Sequence, residues 1–119
     1  MTTGFASPAD DYLEGRLSLD ALLIQNKEST FFVRAKGYSM KDAGIFDGDL
    51  LVVDKSLTPT SGNVIIAVVD GELAVRRLIK QGGQVSLQAA NPEFAEILLK
   101  DEQELQVWGV VTATIKRFV

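Results

Sequence analysis

The side chains of this protein leave room for one kind of covalent catalysis. Its 119 residues include neither cysteine nor histidine, so it has no thiol nucleophile, no imidazole base and none of the commonest metal ligands. A hydroxyl paired with a lysine amine is the remaining nucleophilic apparatus. The best-placed hydroxyl is Ser39, within Gly37-Tyr38-Ser39-Met40-Lys41-Asp42. Gly37 permits a backbone conformation that other residues resist, and the breaks at Gly44 and Asp47-Gly48 confine any helix after Ser39 to a single turn. Ser39 therefore stands at a corner, and two readings of it are open. With Asp42 three positions on, it fits a capping box in which its Oγ accepts an orphan backbone N–H. Alternatively it is a nucleophile beside the exposed N–H groups of a helix start, which would stabilise an oxyanion once a base is supplied. Asp47, Asp49 and Asp54 cluster nearby, but Gly48 and the apolar run read as a turn entering a strand and lack the spaced oxygens of a calcium loop. No metal or other cofactor is expected.

Such a corner needs strands on both sides. Thr30–Ala35 is β-branched and aromatic, and should deliver the chain to Ser39; Leu50–Asp54 should carry it away. Asn63–Val69, then Asp70-Gly71, then Glu72–Lys80 is the pattern of a tight hairpin. Along its second strand Ala74, Arg76 and Leu78 share one face, and Leu73, Val75, Arg77 and Ile79 the other. Arg76, with apolar neighbours on its own face, is either a surface arginine snorkelling over them or a side chain held within the fold. Leu17–Ile24, with Ser18 as its cap, should form a short amphipathic helix covering the sheet. Val85–Gln88 alternates as a half-buried strand, and Ala90–Phe94 reads as a loop. Asp101–Glu104 reads as a solvated acidic turn. Leu105–Ile115 makes a final strand, with Trp108 in the core or at an interface, the core being the expected place. No repeat or linker is visible. Residues 1–16, interrupted by Gly4, Ser7 and Pro8, read as a flexible arm, and residues 17–119 as a single mainly β domain.

The net charge of −4 opposes a broad electrostatic footprint on nucleic acid, so direct sequence-specific DNA binding is not expected. No apolar run reaches the roughly 18 residues of a membrane-spanning helix, and the N-terminus has no basic region followed by an apolar core. A cytoplasmic location without membrane attachment is expected.

Gly37-Tyr38-Ser39-Met40, followed by Gly44-Ile45 and Asp47-Gly48-Asp49-Leu50-Leu51-Val52-Val53, resembles the Ser-Met box of the LexA/UmuD family of Ser-Lys self-cleaving proteins, peptidase S24-like. The likeness extends along nearly the whole chain. It implies a LexA/signal-peptidase-like fold, mainly β, of curved and largely antiparallel sheets with one or two short helices. It also implies that Ser39 attacks a peptide bond in an N-terminal arm, with a lysine general base in the segment Asp70–Leu78. Arg76 holds that lysine position. A desolvated lysine can give up its proton near neutral pH, whereas a guanidinium stays protonated to above about pH 12. The Ser39–Arg76 pair is thus expected to keep the place of the dyad without its chemistry.

In this family the bond cut lies between Cys or Ala and a glycine. Thr3 and Gly4 stand at the matching junction, so the sequence starts about where self-cleavage would leave it. The resemblance is greatest to the processed UmuD form. It implies a homodimer, formed partly through Val107-Trp108-Gly109-Val110-Val111, that serves as accessory subunit to an error-prone Y-family (UmuC-like) DNA polymerase in SOS mutagenesis and contacts the RecA filament. Two alternatives stay open. One is an active Ser-Lys protease working in trans, with Lys36 or Lys41 as base. The other is the dimerisation and autocleavage domain of a LexA-like repressor, which needs an upstream helix-turn-helix for which 119 residues leave no space.

Overall fold

The computed structural model describes residues 15–101 and 104–119; the junction-like Thr3 and Gly4, most of the expected arm, and part of the Asp101–Glu104 turn lie outside the described residues. Seven strands carry the fold: β1 Thr30–Arg34, β2 Leu50–Asp54, β3 Val64–Val69, β4 Glu72–Gln81, β5 Gln84–Gln88, β6 Ile97–Leu99 and β7 Val107–Ile115. They form one antiparallel sheet in the order β1-β2-β7-β3-β4-β5-β6. The mainly β, antiparallel architecture implied by the resemblance is what the chain adopts. No helix among the described residues is long and apolar enough to cross a membrane.

Local sequence accounts for most of the turns. Asp70 and Gly71 both sit at positive φ, 52° and 81°, as a two-residue turn matched to strand twist demands. They close the β3–β4 hairpin at Val69 opposite Glu72. The sheet buries apolar side chains on both faces. Ala35, Met40, Ile45, Leu51, Val53 and Ile66 form one cluster, while Ile65, Ala67, Leu78, Val85, Leu87 and Val110 form another. Ile66 belongs to the first and its chain neighbours to the second, which places the clusters on opposite faces of β3. At the end of β2 the buried Asp54 carboxylate ties Asn26, Ser29 and Ser56 to the strand.

Two expectations are corrected. The helix α1, Leu19–Leu23, starts at the Ser18 cap, whose Oγ accepts from the Ala21 N–H at 3.3 Å. However, it buries none of its residues, and Leu19 and Leu22 face outward. Five residues make barely a turn and a half, too short for the two-turn stripe with which a helix covers a sheet. Trp108 is not in the core: it is 47% exposed. The β3–β7 ladder pairs Ile66 with Gly109 and Ala67 with Val107. Trp108 is thus the extra residue of a β-bulge, which re-aims its side chain outward. Its ring lies 5.3 Å from the Lys55 ammonium. Next to it Gly109 is obligatory, since a Cβ there would lie 2.5 Å from Val53 Cγ1.

Candidate functional site

The loop from Lys36 to Gly48, between β1 and β2, presents Ser39, and it is pinned at base, floor and flank. At the base, the Ala35 N–H donates to Asp49 O at 2.8 Å and the Gly48 N–H to Ala35 O at 2.9 Å. Gly37 takes φ +77°, and its N–H donates to the Asp47 carboxylate at 2.7 Å. The floor is Met40, only 2% exposed and packed in the first cluster, so the residue after Ser39 is anchored in the core. The flank is the segment after β5. The Asp42 N–H donates to Ala90 O, and Asn91 Nδ2 donates to Tyr38 O, both at 2.8 Å. Asn91 is itself buried, and its Oδ1 accepts from the Glu93 N–H.

The buried Asp49 ties this loop to the end of β7 by accepting from the Phe46 N–H and from Lys116 Nζ. Burial alone would raise its pKa. The bonds from Lys116 and Phe46 outweigh that and hold the carboxyl below the ordinary aspartate range.

Arg76 comes to Ser39 from β4. That strand pairs with β3 over residues 72–77 and with β5 over 77–81, so beside Arg76 no strand among the described residues pairs with its second flank. Ser39 and the Ala90–Phe94 segment occupy that flank. Arg76 Nη1 donates to Ser39 Oγ at 2.9 Å and to Val75 O at 2.8 Å. The guanidinium carbon lies 5.5 Å from the centre of the Phe94 ring, within cation–π range. Of the two readings of Arg76, the structure adopts the one held within the fold: the side chain is partly buried, with its Nε enclosed and unpartnered.

The capping role for Ser39 is a correction. The single 3-10 turn Lys41–Ala43 begins after Met40, with no side-chain cap bond. Ser39 Oγ is instead occupied by the arginine. Among the described residues its own hydrogen finds only Val75 O, at 3.5 Å, which is longer than a good O–H···O bond.

The chemistry follows from who donates. A general base must accept the serine proton, but Arg76 presents only N–H donors to Oγ. Burial lowers the arginine pKa from its usual value, yet a guanidinium so placed still carries its charge at neutral pH. The pair can polarise a hydroxyl and hold negative charge; it cannot remove a proton. Lys36 and Lys41, the alternative bases, are exposed and make no bond to Ser39. Asp47, Asp49 and Asp54 each serve a different turn or strand end. Sequence reasoning missed Asn91 and Phe94, which sit in a stretch read simply as a loop. Asn-Pro at 91–92 marks a turn, but nothing local says that its asparagine reaches a carbonyl 53 positions earlier.

The Peptidase S24-like family model matches residues 1–112. Protein SamA of Salmonella typhimurium is 46% identical over 114 residues, covering 96% of this chain and 79% of SamA. Protein ImpA of Escherichia coli is 41% identical over 115 residues, 96% of this chain and 77% of ImpA. The LexA repressor of Dechloromonas aromatica is 38% identical over 109 residues, 91% of this chain but 54% of the repressor. A match of this extent, together with a serine and a basic strand residue in contact, leads to one conclusion: the chain belongs to the peptidase S24-like family, the LexA/UmuD group to which its Ser39-Met40 box points.

Proposed function

We propose that this chain is a UmuD-type accessory subunit acting in SOS mutagenesis with an error-prone Y-family DNA polymerase, and that its Ser-Lys protease site has lost its base. The similarity to SamA and ImpA across most of their length supports the family side of this reading. The observation that carries the rest is the 2.9 Å bond from Arg76 Nη1 to Ser39 Oγ: the group in the base position donates where a base has to accept. Ser39 should resist a fluorophosphonate probe, and a substrate chain bearing an uncut arm should survive incubation with the protein. Efficient cleavage by the unmodified chain refutes the proposal and restores the trans-acting protease.

Homodimerisation and contact with the RecA filament belong to the same reading. Because β7 lies inside the sheet between β2 and β3, a dimer formed through β7 would use the exposed face of that strand and not its edge. Sedimentation showing only monomer at micromolar concentration would remove the dimer, and failure to co-purify with a Y-family polymerase would remove the accessory role. The LexA similarity keeps a second reading, the dimerisation and autocleavage part of a repressor; operator DNA retarded by the full natural protein would favour it.

A further inference from the structure

The serine loop returns to the sheet through one short turn, Phe46 to Asp49, and the buried Asp49 closes it. The Phe46 N–H donates to Asp49 Oδ2 at 2.8 Å, and the Asp49 N–H donates to Phe46 O at 3.0 Å. Among the described residues that carboxylate has one other donor, Lys116 Nζ, with which it forms an ion pair. Lys116 comes from outside the loop. It is the first residue after β7, one step past the pairing of Leu50 with Ile115 at the end of the β2–β7 ladder. Its ammonium also lies 4.4 Å from the centre of the Phe46 ring, close enough for the ring to add its own attraction. A buried carboxylate stripped of its cation is costly to keep in place. Without Lys116, Asp49 would keep a single side-chain donor, and swinging out to water would restore its hydration at the expense of the turn.

That turn leads directly to the site. Phe46 follows Ile45, whose N–H donates to Met40 O at 3.1 Å, and Met40 is the buried residue that anchors Ser39. Arg76 belongs to a different part of the sheet, since β4 pairs with β3 and β5 and not with β2 or β7. A shift of the loop therefore moves Ser39 relative to Arg76 instead of carrying both together. We propose that Lys116 is a positioning residue for this site: a latch at the end of β7 that holds the Phe46–Asp49 turn closed and so sets where Ser39 Oγ stands relative to Arg76. It acts through Asp49, Phe46 and Met40. Because β7 is complete at Ile115 and residues 116–119 are exposed, the latch can open while the sheet stays whole. The inference goes beyond the proposed function and does not need it, since the same latch would place an active serine as well as an inert one.

The test is nuclear magnetic resonance on the unmodified protein, Lys116→Met and Lys116→Arg. In Lys116→Met, amide hydrogen exchange at Gly37, Ile45 and Phe46 should quicken by about tenfold or more, while the β3–β4 ladder keeps the parent rates. The nitrogen chemical shift of Arg76 Nη1, which donates to Ser39 Oγ at 2.9 Å, should move toward its value in Ser39→Ala. Lys116→Arg keeps the charge and should keep both parent readouts. Loop exchange equal to the parent's overturns the latch, as does loop and β3–β4 exchange quickening together, which would be a general loss of stability. An unmoved Arg76 signal, or Lys116→Arg behaving like Lys116→Met, overturns it too. Incubating the unmodified sample with an arm-bearing chain keeps the two readings apart: cleavage sinks the proposed function alone, and the resonance data decide the latch either way.

Discussion

Two charged side chains of one sheet are treated in opposite ways. Asp54, at the end of β2, is buried and over-provided: Asn26 Nδ2, Ser29 Oγ and the Ser56 N–H each donate to its carboxylate at 2.8 Å, and Ser56 Oγ does so at 2.7 Å. These partners, Asn26 and Ser56 foremost, hold its pKa far below the ordinary carboxylate range. Among the described residues Arg76, on β4, has two neutral acceptors and one enclosed N–H with none. A fully satisfied charge organises the chain around it, whereas an under-satisfied one persists against its own cost and points to a task beyond folding. Asp54 is the mark of scaffold, and Arg76 the mark of site.

The sharpest way to break this contrast is to give the site its base. Arg76→Lys should raise cleavage of an arm-bearing substrate by about a hundredfold or more above the unmodified chain, the range of general-base assistance, as read by gel densitometry. A flat response would mean that the guanidinium is not what sets the reactivity of Ser39. Stability should then separate the two charges. Asp54→Ala strands four donors and should lower Tm by roughly 5–10 °C, while Arg76→Leu, which removes a charge with no ionic partner among the described residues, should leave Tm unchanged or raise it. Calorimetry finding the reverse order would dissolve the distinction.

The acid limb offers a finer test. Asp54 is held below its unfolded pKa of about 3.9, so its stabilisation is complete above that pH and lost as pH falls through the depressed folded value. Asp49 and Glu96 are displaced the same way. Urea midpoints at pH 7, 4 and 3 should therefore fall steeply for the parent and less steeply for Asp54→Asn, with Arg76→Leu keeping the parent's slope. The smallest effect belongs to Phe94→Leu, which should cost about 1 kcal/mol or less by removing the ring beneath the guanidinium, measured by chemical denaturation.

Legibility in the sequence follows the range of the forces involved. Leu50–Asp54 and the Asp70-Gly71 hairpin are visible because alternation and turn chemistry act over a few residues. β6 is not, since three residues after the Asn91-Pro92 break carry no period to recognise. Trp108 misleads for a related reason: its composition says core, but the bulge that turns it outward is decided by β3 across the ladder. At the site, turn chemistry marks the corner at Ser39, whereas Arg76 is singled out by the family resemblance alone, since its own neighbours fit a surface arginine equally well. The loss of the serine cap and the clasp by Asn91 could not be read, because both depend on partners 37 and 53 positions away.

The strand order carries a consequence for synthesis. β7 follows the other six strands in the chain yet lies between β2 and β3, so a ribosome-tethered chain ending before Val107 has two half-sheets with nothing joining them edge to edge. The serine loop belongs to one half and the arginine strand to the other. Their meeting as part of one continuous sheet therefore waits for the last strand to emerge, a late non-local closure of the kind that slows folding. Pulsed hydrogen exchange on stalled nascent chains should find β3 and β4 protected before β2 gains its second neighbour.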